Sequence, residues 1–202
     1  REGGVLRCDP LGENLEIVTR GLRNPWDITM DPGFNWLGTD NDQSQGDRLV
    51  MPFFGAHFGW GHPYSAHWSG DRNLPTVPVS GPMFPGSGTG IIYYDHPHFP
   101  ASHRQLFILN DWLDGTFLYR PNWDGALMQP EGGTLEPFIR RGSGNILYRP
   151  TDLEFGPDGS LYWTDINIGE VGRMTPEGVV TKQFVAPGVN PITFSEDGRL
   201  FV

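Results

Sequence analysis

Cysteine is almost missing: Cys8 is the only one in 202 residues, so no disulfide can form within the chain. That suits the cytosol, and equally a periplasmic or secreted protein that needs no bridges. Positive charge is scarce too. Fourteen Lys and Arg face 24 Asp and Glu, a formal net charge of −10, which phosphate backbones would repel and which argues against a nucleic-acid partner. The same acidity serves solubility or divalent-cation binding. Long apolar runs are absent. Segments such as Gln105-Leu106-Phe107-Ile108-Leu109 fall far short of the roughly 20 residues of a membrane span. The chain opens Arg1-Glu2-Gly3-Gly4 with no apolar stretch behind it, as a chain whose leader had been removed would also do. Helical spacing of apolar residues is never sustained without a Gly or Pro inside the window, which excludes long helices.

Glycine and proline are abundant instead. The 28 Gly and 19 Pro are about twice the usual combined share. A hydrophobic fraction of 37% with seven Trp is too rich for a disordered linker. Short strands joined by tight turns fit this mixture, and the expected class is all-β.

Internal similarity sharpens that reading. Pro150-Thr151-Asp152-Leu153-Glu154-Phe155-Gly156-Pro157-Asp158-Gly159 leads into Leu161-Tyr162-Trp163-Thr164-Asp165, and a second copy runs from Asn190-Pro191-Ile192-Thr193-Phe194 through Asp197-Gly198 to Leu200-Phe201. A third lies near the start, Asn24-Pro25-Trp26-Asp27 running on to Thr39-Asp40. Each copy reads as a hairpin closed by a Gly-containing turn. A third strand beginning at Gly follows in several places (Gly4, Gly115, Gly169), and Val179–Phe184 supplies a fourth. Four strands in about 40 residues make a β-propeller blade. A β-sandwich or irregular barrel is the alternative, and neither explains the recurring Asp-Gly hairpins. The chain is expected to be one propeller domain over 1–202, covering about half of a ring, with a loop insertion at about 46–87 that holds Gly59-Trp60-Gly61-His62, His67 and a Pro-rich stretch.

Four groups of residues could carry chemistry. Arg23-Asn24 precede an inner strand and could meet a carboxylate or quinone ligand; Arg23 could equally pair with an acid of a neighbouring blade. Asp40-Asn41-Asp42 through Asp47 gather carboxylates and amides suited to a hard cation such as Ca²⁺, or form a solvated turn. His57, His62 and His67, and His96 with His98, could bind Zn²⁺ or hold structural positions. Arg149 and Asp152 repeat the placement of Arg23 and Asp27; Asp27 and Asp152 read as turn caps. No nucleophile elbow or phosphate loop is present, and Gly86-Ser87-Gly88-Thr89-Gly90 leads into a strand.

Gly21-Leu22-Arg23-Asn24-Pro25, Thr39-Asp40-Asn41, Gly46-Asp47-Arg48-Leu49, Phe58-Gly59-Trp60 and Pro63, followed by Tyr93, Phe99-Pro100, Gly115, Arg120, Arg149 and Pro157-Asp158-Gly159, resemble the glucose/sorbosone dehydrogenase family of soluble sugar dehydrogenases that use pyrroloquinoline quinone. The last 60 residues also resemble gluconolactonase-like propellers. The first resemblance implies a six-bladed propeller with the quinone over its channel and Ca²⁺ nearby, oxidising a sugar or polyol. It implies that Arg23, Asn24 and Arg149 contact the quinone, that the Asp40-Asn41 loop serves the cation and that Asp47 supports it. The catalytic His falls outside these residues. A cytochrome electron acceptor and a periplasmic or extracellular location follow from the same resemblance. Two departures stand out: Asp114 replaces an expected Lys, and Thr151 an expected Arg. A propeller lactonase or lyase holding one channel metal through Asn24, Asp40 and Asn190, and a non-catalytic binding propeller, are the rival readings.

Overall fold

The computed structural model describes residues 3–41, 47–60, 77–82, 86–140 and 149–202. In chain order the strands are β1 (Gly3–Arg7), β2 (Glu16–Leu22), β3 (Pro25–Met30), β4 (Trp36–Asp40), β5 (Arg48–Val50), β6 (Ala56–His57), β7 (Gly88–Tyr94), β8 (Leu106–Asp111) and β9 (Gly115–Tyr119). They continue as β10 (Pro121–Asp124), β11 (Leu127–Pro130), β12 (Glu136–Arg140), β13 (Pro150–Phe155), β14 (Leu161–Asp165), β15 (Glu170–Met174), β16 (Val180–Phe184), β17 (Thr193–Phe194) and β18 (Leu200–Phe201). Two short 3₁₀ turns are the only helical elements among the described residues, so none of them forms a helix long and apolar enough to cross a membrane.

The strands form successive antiparallel sheets. β3-β4-β5, then β7-β8-β9-β12, then β13-β14-β15-β16 each run outward from an inner strand, and β17-β18 begins another sheet. β1-β2 form the first sheet, with β6 added in parallel on β2. The 48–50 segment, inside the stretch read as an insertion, is therefore the third strand of a regular sheet. The Pro157-Asp158-Gly159 hairpin forms as expected: Gly159 takes φ +74°, which costs a glycine nothing, and the Asp158 carboxylate accepts the Ser160 N–H.

Side-chain alternation explains why the sheets stack. Along β8, Leu106 and Ile108 pack with Leu153, Leu161 and Trp163 of the following sheet, whereas Phe107 and Leu109 pack with Leu37 and Leu49 of the preceding one. A strand with period-two alternation that is apolar at every position has two faces to bury. The short apolar run at 106–109 is thus a central blade strand with a neighbour on each side.

Polar clasps tie the sheets together near the inner strands, which pack side by side in the order β3, β7, β13. The penultimate residue of each second strand donates to the next inner strand or the segment leading into it: Thr39 Oγ1 to the Thr89 carbonyl at 3.1 Å, Asn110 Nδ2 to the Asp152 carbonyl at 3.3 Å and Thr164 Oγ1 to the Asn190 carbonyl, ahead of β17, at 2.5 Å. Asp27 and Asp152 add a second clasp. Asp27 accepts the N–H of Ile28 in its own strand and of Ile91 in the next sheet, at 2.7 and 2.9 Å. Asp152 repeats this with Leu153 and Ile192, both at 2.9 Å. The turn-cap reading of these two residues is replaced by this one: a bulge in each inner strand turns the carboxylate toward the neighbouring sheet, where it meets unpaired backbone N–H groups. In β7 the same position is Gly90, whose missing side chain lets β13 approach, since a Cβ there would lie 2.8 Å from Asp152 Cα.

Candidate functional site

The last residue of each second strand is a buried aspartate: Asp40, Asp111 and Asp165. Each accepts backbone N–H groups of the segment leading into its own inner strand. Asp40 accepts from Arg23 at 3.0 Å and Asn24 at 2.9 Å, and Asp165 accepts from Arg149 at 2.8 Å. Asp111 receives Gly86 and also Leu113 and Asp114. The Thr-Asp, Asn-Asp and Thr-Asp pairs that end β4, β8 and β14 therefore have two jobs, one residue clasping the next sheet and the other shaping the loop at the same end of the inner strands.

That loop end presents two guanidinium groups in matching surroundings. Half-buried Arg23 donates from Nη1 to the Asn41 carbonyl at 2.9 Å and lies over the Trp60 ring, 5.4 Å from its centroid. Half-buried Arg149 donates from Nη1 to the Trp112 carbonyl at 3.2 Å and lies 5.6 Å from the Trp112 ring centroid. A guanidinium held over an aromatic face loses less freedom when it binds a further anion. Asn24 is exposed beside Arg23.

Asp40 and Arg48 form an ion pair at 3.1 Å with side chains 0% and 2% exposed. One Asp40 oxygen takes the Arg23 and Asn24 amides, and the other takes the Arg48 guanidinium. Burial still pushes the Asp40 carboxyl above its ordinary range, against the pull of Arg48. Its role here is to hold the Arg23-Asn24 loop. Asp47 is buried and accepts the Gly88 N–H at 3.2 Å, linking β5 to β7. Asn41 is buried, and its Oδ1 has no hydrogen-bond partner among the described residues. Trp112 Nε1 and Asp111 Oδ2 are in the same condition. An unsatisfied buried oxygen calls for a partner, and the amide oxygen of Asn41 suits a hard cation.

The expected residues fall into three sets. Arg23, Asn24, Asp40 and Asn41 form one connected group, Arg149 occupies the matching place two sheets on, and Asp47 lies beneath, against β7. Among the described residues no group of three or more His, Cys, Asp or Glu could hold a metal. His57 accepts the Gly59 N–H, and the His96 and His98 rings lie 4.1 Å apart, tilted by 35°; His62, His67 and Asp42 lie outside the described residues. Asn190, on the lactonase reading a metal ligand, has its carbonyl taken by Thr164 and Thr151. Sequence reasoning missed Arg48 as the partner of Asp40, and Trp26, whose indole N–H reaches the Thr151 carbonyl at 3.1 Å. A buried Arg eight residues after an Asp on paired strands left a signal, since Asp40 and Arg48 face each other in register across β4 and β5.

No protein-family profile matches the chain. It is 28% identical over 179 residues to the aldose sugar dehydrogenase YliI of Escherichia coli K12, covering 82% of this chain and 45% of that protein. The chain thus spans about half the length of the curated relative it matches. Among solved structures it resembles the soluble aldose sugar dehydrogenase of E. coli in its apo form (TM-score 0.53, 19% identity, 84% of this chain and 47% of that one). It also resembles the pyrroloquinoline-quinone-bound form of the aldose sugar dehydrogenase of Streptomyces coelicolor (TM-score 0.53, 18% identity, 82% and 46%). A virginiamycin B lyase from Staphylococcus aureus shares the fold less specifically (TM-score 0.50, 11% identity, 95% and 53%).

Proposed function

We propose that this chain, a relative of the aldose sugar dehydrogenases in sequence and fold, is part of a six-bladed propeller that oxidises a sugar or polyol with pyrroloquinoline quinone and Ca²⁺. The observation that carries the reading is the repeated Arg-on-Trp arrangement. Arg23 on Trp60 and Arg149 on Trp112 stand at the same place in sheets that flank β7, and their spread guanidinium planes suit a flat polycarboxylate. On this reading Arg23 and Arg149 hold the carboxylates of the quinone, and Asn24 offers its exposed amide. Asn41 Oδ1 is a buried side-chain oxygen, without a partner among the described residues, that would serve the cation. Asp47 would support that region from below through β7, and Asp40 would act through the loop it holds. The quinone, when bound, supplies the two-electron acceptor for the sugar's C–H hydride. Trp60 and Trp112 keep the two guanidinium groups oriented and limit their access to water.

Support for the lactonase reading is weaker, because the Asp40 carboxylate is committed to Arg48 and two amides. A cytochrome acceptor and a periplasmic or extracellular location complete the proposal, which secretion of the tagged protein in cell fractions would check. The main test is a quinone titration of the full-length protein with and without Ca²⁺, followed by dye-linked sugar oxidation. Saturable binding that Arg23→Ala and Arg149→Ala each weaken, with sugar oxidation, is expected. No binding together with lactone hydrolysis would replace this reading by the lactonase one.

A further inference from the structure

Trp26 departs from the repeat that explains its neighbours by reaching one sheet further than its counterparts. The corresponding residues of β7 and β13 are Thr89 and Thr151, whose hydroxyls reach only as far as the next segment: Thr89 Oγ1 donates to the Pro150 carbonyl of β13 at 2.9 Å, and Thr151 Oγ1 to the Asn190 carbonyl ahead of β17 at 3.4 Å. Trp26 instead extends from the bulge between Pro25 and Ile28 past β7 to β13, where its N–H meets the Thr151 carbonyl. Bulges re-aim side chains and recur beside functional sites. The result is an indole whose one polar atom is satisfied and whose position is fixed at both ends, yet whose side chain is still 40% exposed. A fixed indole with an open face has already lost the freedom that binding would otherwise cost.

Its position gives that open face a use. Trp26 is three residues from Arg23, and its anchor Thr151 is two residues from Arg149, so the indole spans the interval between the two cationic loops. It also borders a cavity of about 300 Å³ between the first two sheets, whose wall includes Leu6, Leu22, Pro25 and Val50. The surface beside the indole is therefore concave and mainly apolar, as small-molecule sites usually are.

We propose that Trp26 is the aromatic platform of this site: a planar ring ligand lies on its exposed face, with anionic edges toward Arg23 and Arg149. The inference rests on the quinone reading above. Stacking on an aromatic face contributes about 0.5–1.5 kcal/mol beyond burial, a factor of about 2–12 in affinity. The indole N–H anchors the ring, and the ring face binds.

The test is a titration of the full-length protein with pyrroloquinoline quinone, read by quenching of tryptophan fluorescence and by the quinone's own absorbance, for the unaltered chain, Trp26→Phe and Trp26→Ala. Urea unfolding of each variant establishes that it is folded. Trp26→Phe, which keeps a ring face, is expected to bind within about twofold of the unaltered chain, and Trp26→Ala to bind about 3–10-fold more weakly. Equal binding by all three overturns the platform while leaving the quinone reading intact. Equal weakening of both variants also overturns it, since the N–H tether would then matter and the face would not. No binding by the unaltered chain overturns the quinone reading and the platform with it.

Discussion

Removing the Asp40 carboxylate tests the reasoning about the site most directly. Asp40→Ala leaves Arg48, 2% exposed, without its counter-ion. The remaining contacts of that guanidinium include the Gly21 carbonyl at 3.4 Å and the Phe58 ring at 5.5 Å. Breaking a buried ion pair by deleting one partner costs about 3–5 kcal/mol. The Arg23 and Asn24 amides lose their acceptor as well, at about 1 kcal/mol each where water cannot replace it; Asn24 is exposed, so its amide recovers most of that. The expected loss is about 4–5 kcal/mol, a large share of the 5–15 kcal/mol of a typical domain. Replacing both partners should restore much of it, because a buried pair exchanged for apolar side chains is often neutral. Asp40→Leu with Arg48→Met is therefore expected to be more stable than Asp40→Ala alone. Urea unfolding of the full-length chain, followed by tryptophan fluorescence, reads each variant. A cost below about 1 kcal/mol for Asp40→Ala, the range of an exposed pair, would refute the assignment of Asp40 as the loop's buried anchor.

Three further predictions concern the clasps between sheets. The Asp152 carboxyl is raised to about 6, first by burial and then by Asp27 and Glu154, against an ordinary 3.8; the folded state holds this proton more tightly than the unfolded one. Its stabilising contribution is complete below about pH 4 and is lost as pH rises through 6, so Asp152→Asn should flatten the stability profile between pH 4 and 6.5 in urea midpoints taken across that range. Gly90→Ala places a Cβ 2.7 Å from Asp152 Oδ1 and 3.0 Å from the Leu153 nitrogen, and should cost about 1–3 kcal/mol in thermal unfolding, with no effect expected from Gly178→Ala beyond its positive-φ strain, since nothing lies within 4 Å there. Thr164→Val removes the hydroxyl from the Asn190 carbonyl and should cost about 1 kcal/mol, measurable as a shift in urea midpoint with unchanged slope.

Many of the strands were legible because they carry a local signal, although β5 and β6 fall inside the stretch read as a loop insertion. Asp158-Gly159 and Asp197-Gly198 mark hairpins through a turn that only a few residues accept, and the run Leu106–Leu109 marks a strand buried on both faces through its unbroken apolar pattern. The similarity to sugar dehydrogenases was equally visible in short ordered motifs. The site was legible only in part. Arg23 and Arg149 occupy corresponding positions, as the repeat at Pro25 and Pro150 implied, but the Trp rings beneath them lie 37 residues away along the chain, and no spacing rule connects such pairs. Asp27 and Asp152 were recognisable as a repeat, while their partners Ile91 and Ile192 belong to the following sheet.

The amino-acid pattern alone determined the all-β class, the hairpins, the alternation that buries both faces of the central strands and the pairing of Arg23 with Arg149 by position, since all of these depend on neighbours within a few residues or on a repeated phrase. Which polar groups are free to act was decided only by tertiary structure. Asp40 faces Arg48 rather than solvent, Asn41 keeps a buried oxygen without a partner among the described residues, and Trp26 reaches across β7 to Thr151, because these roles depend on which strand lies alongside once the sheets have stacked and excluded water.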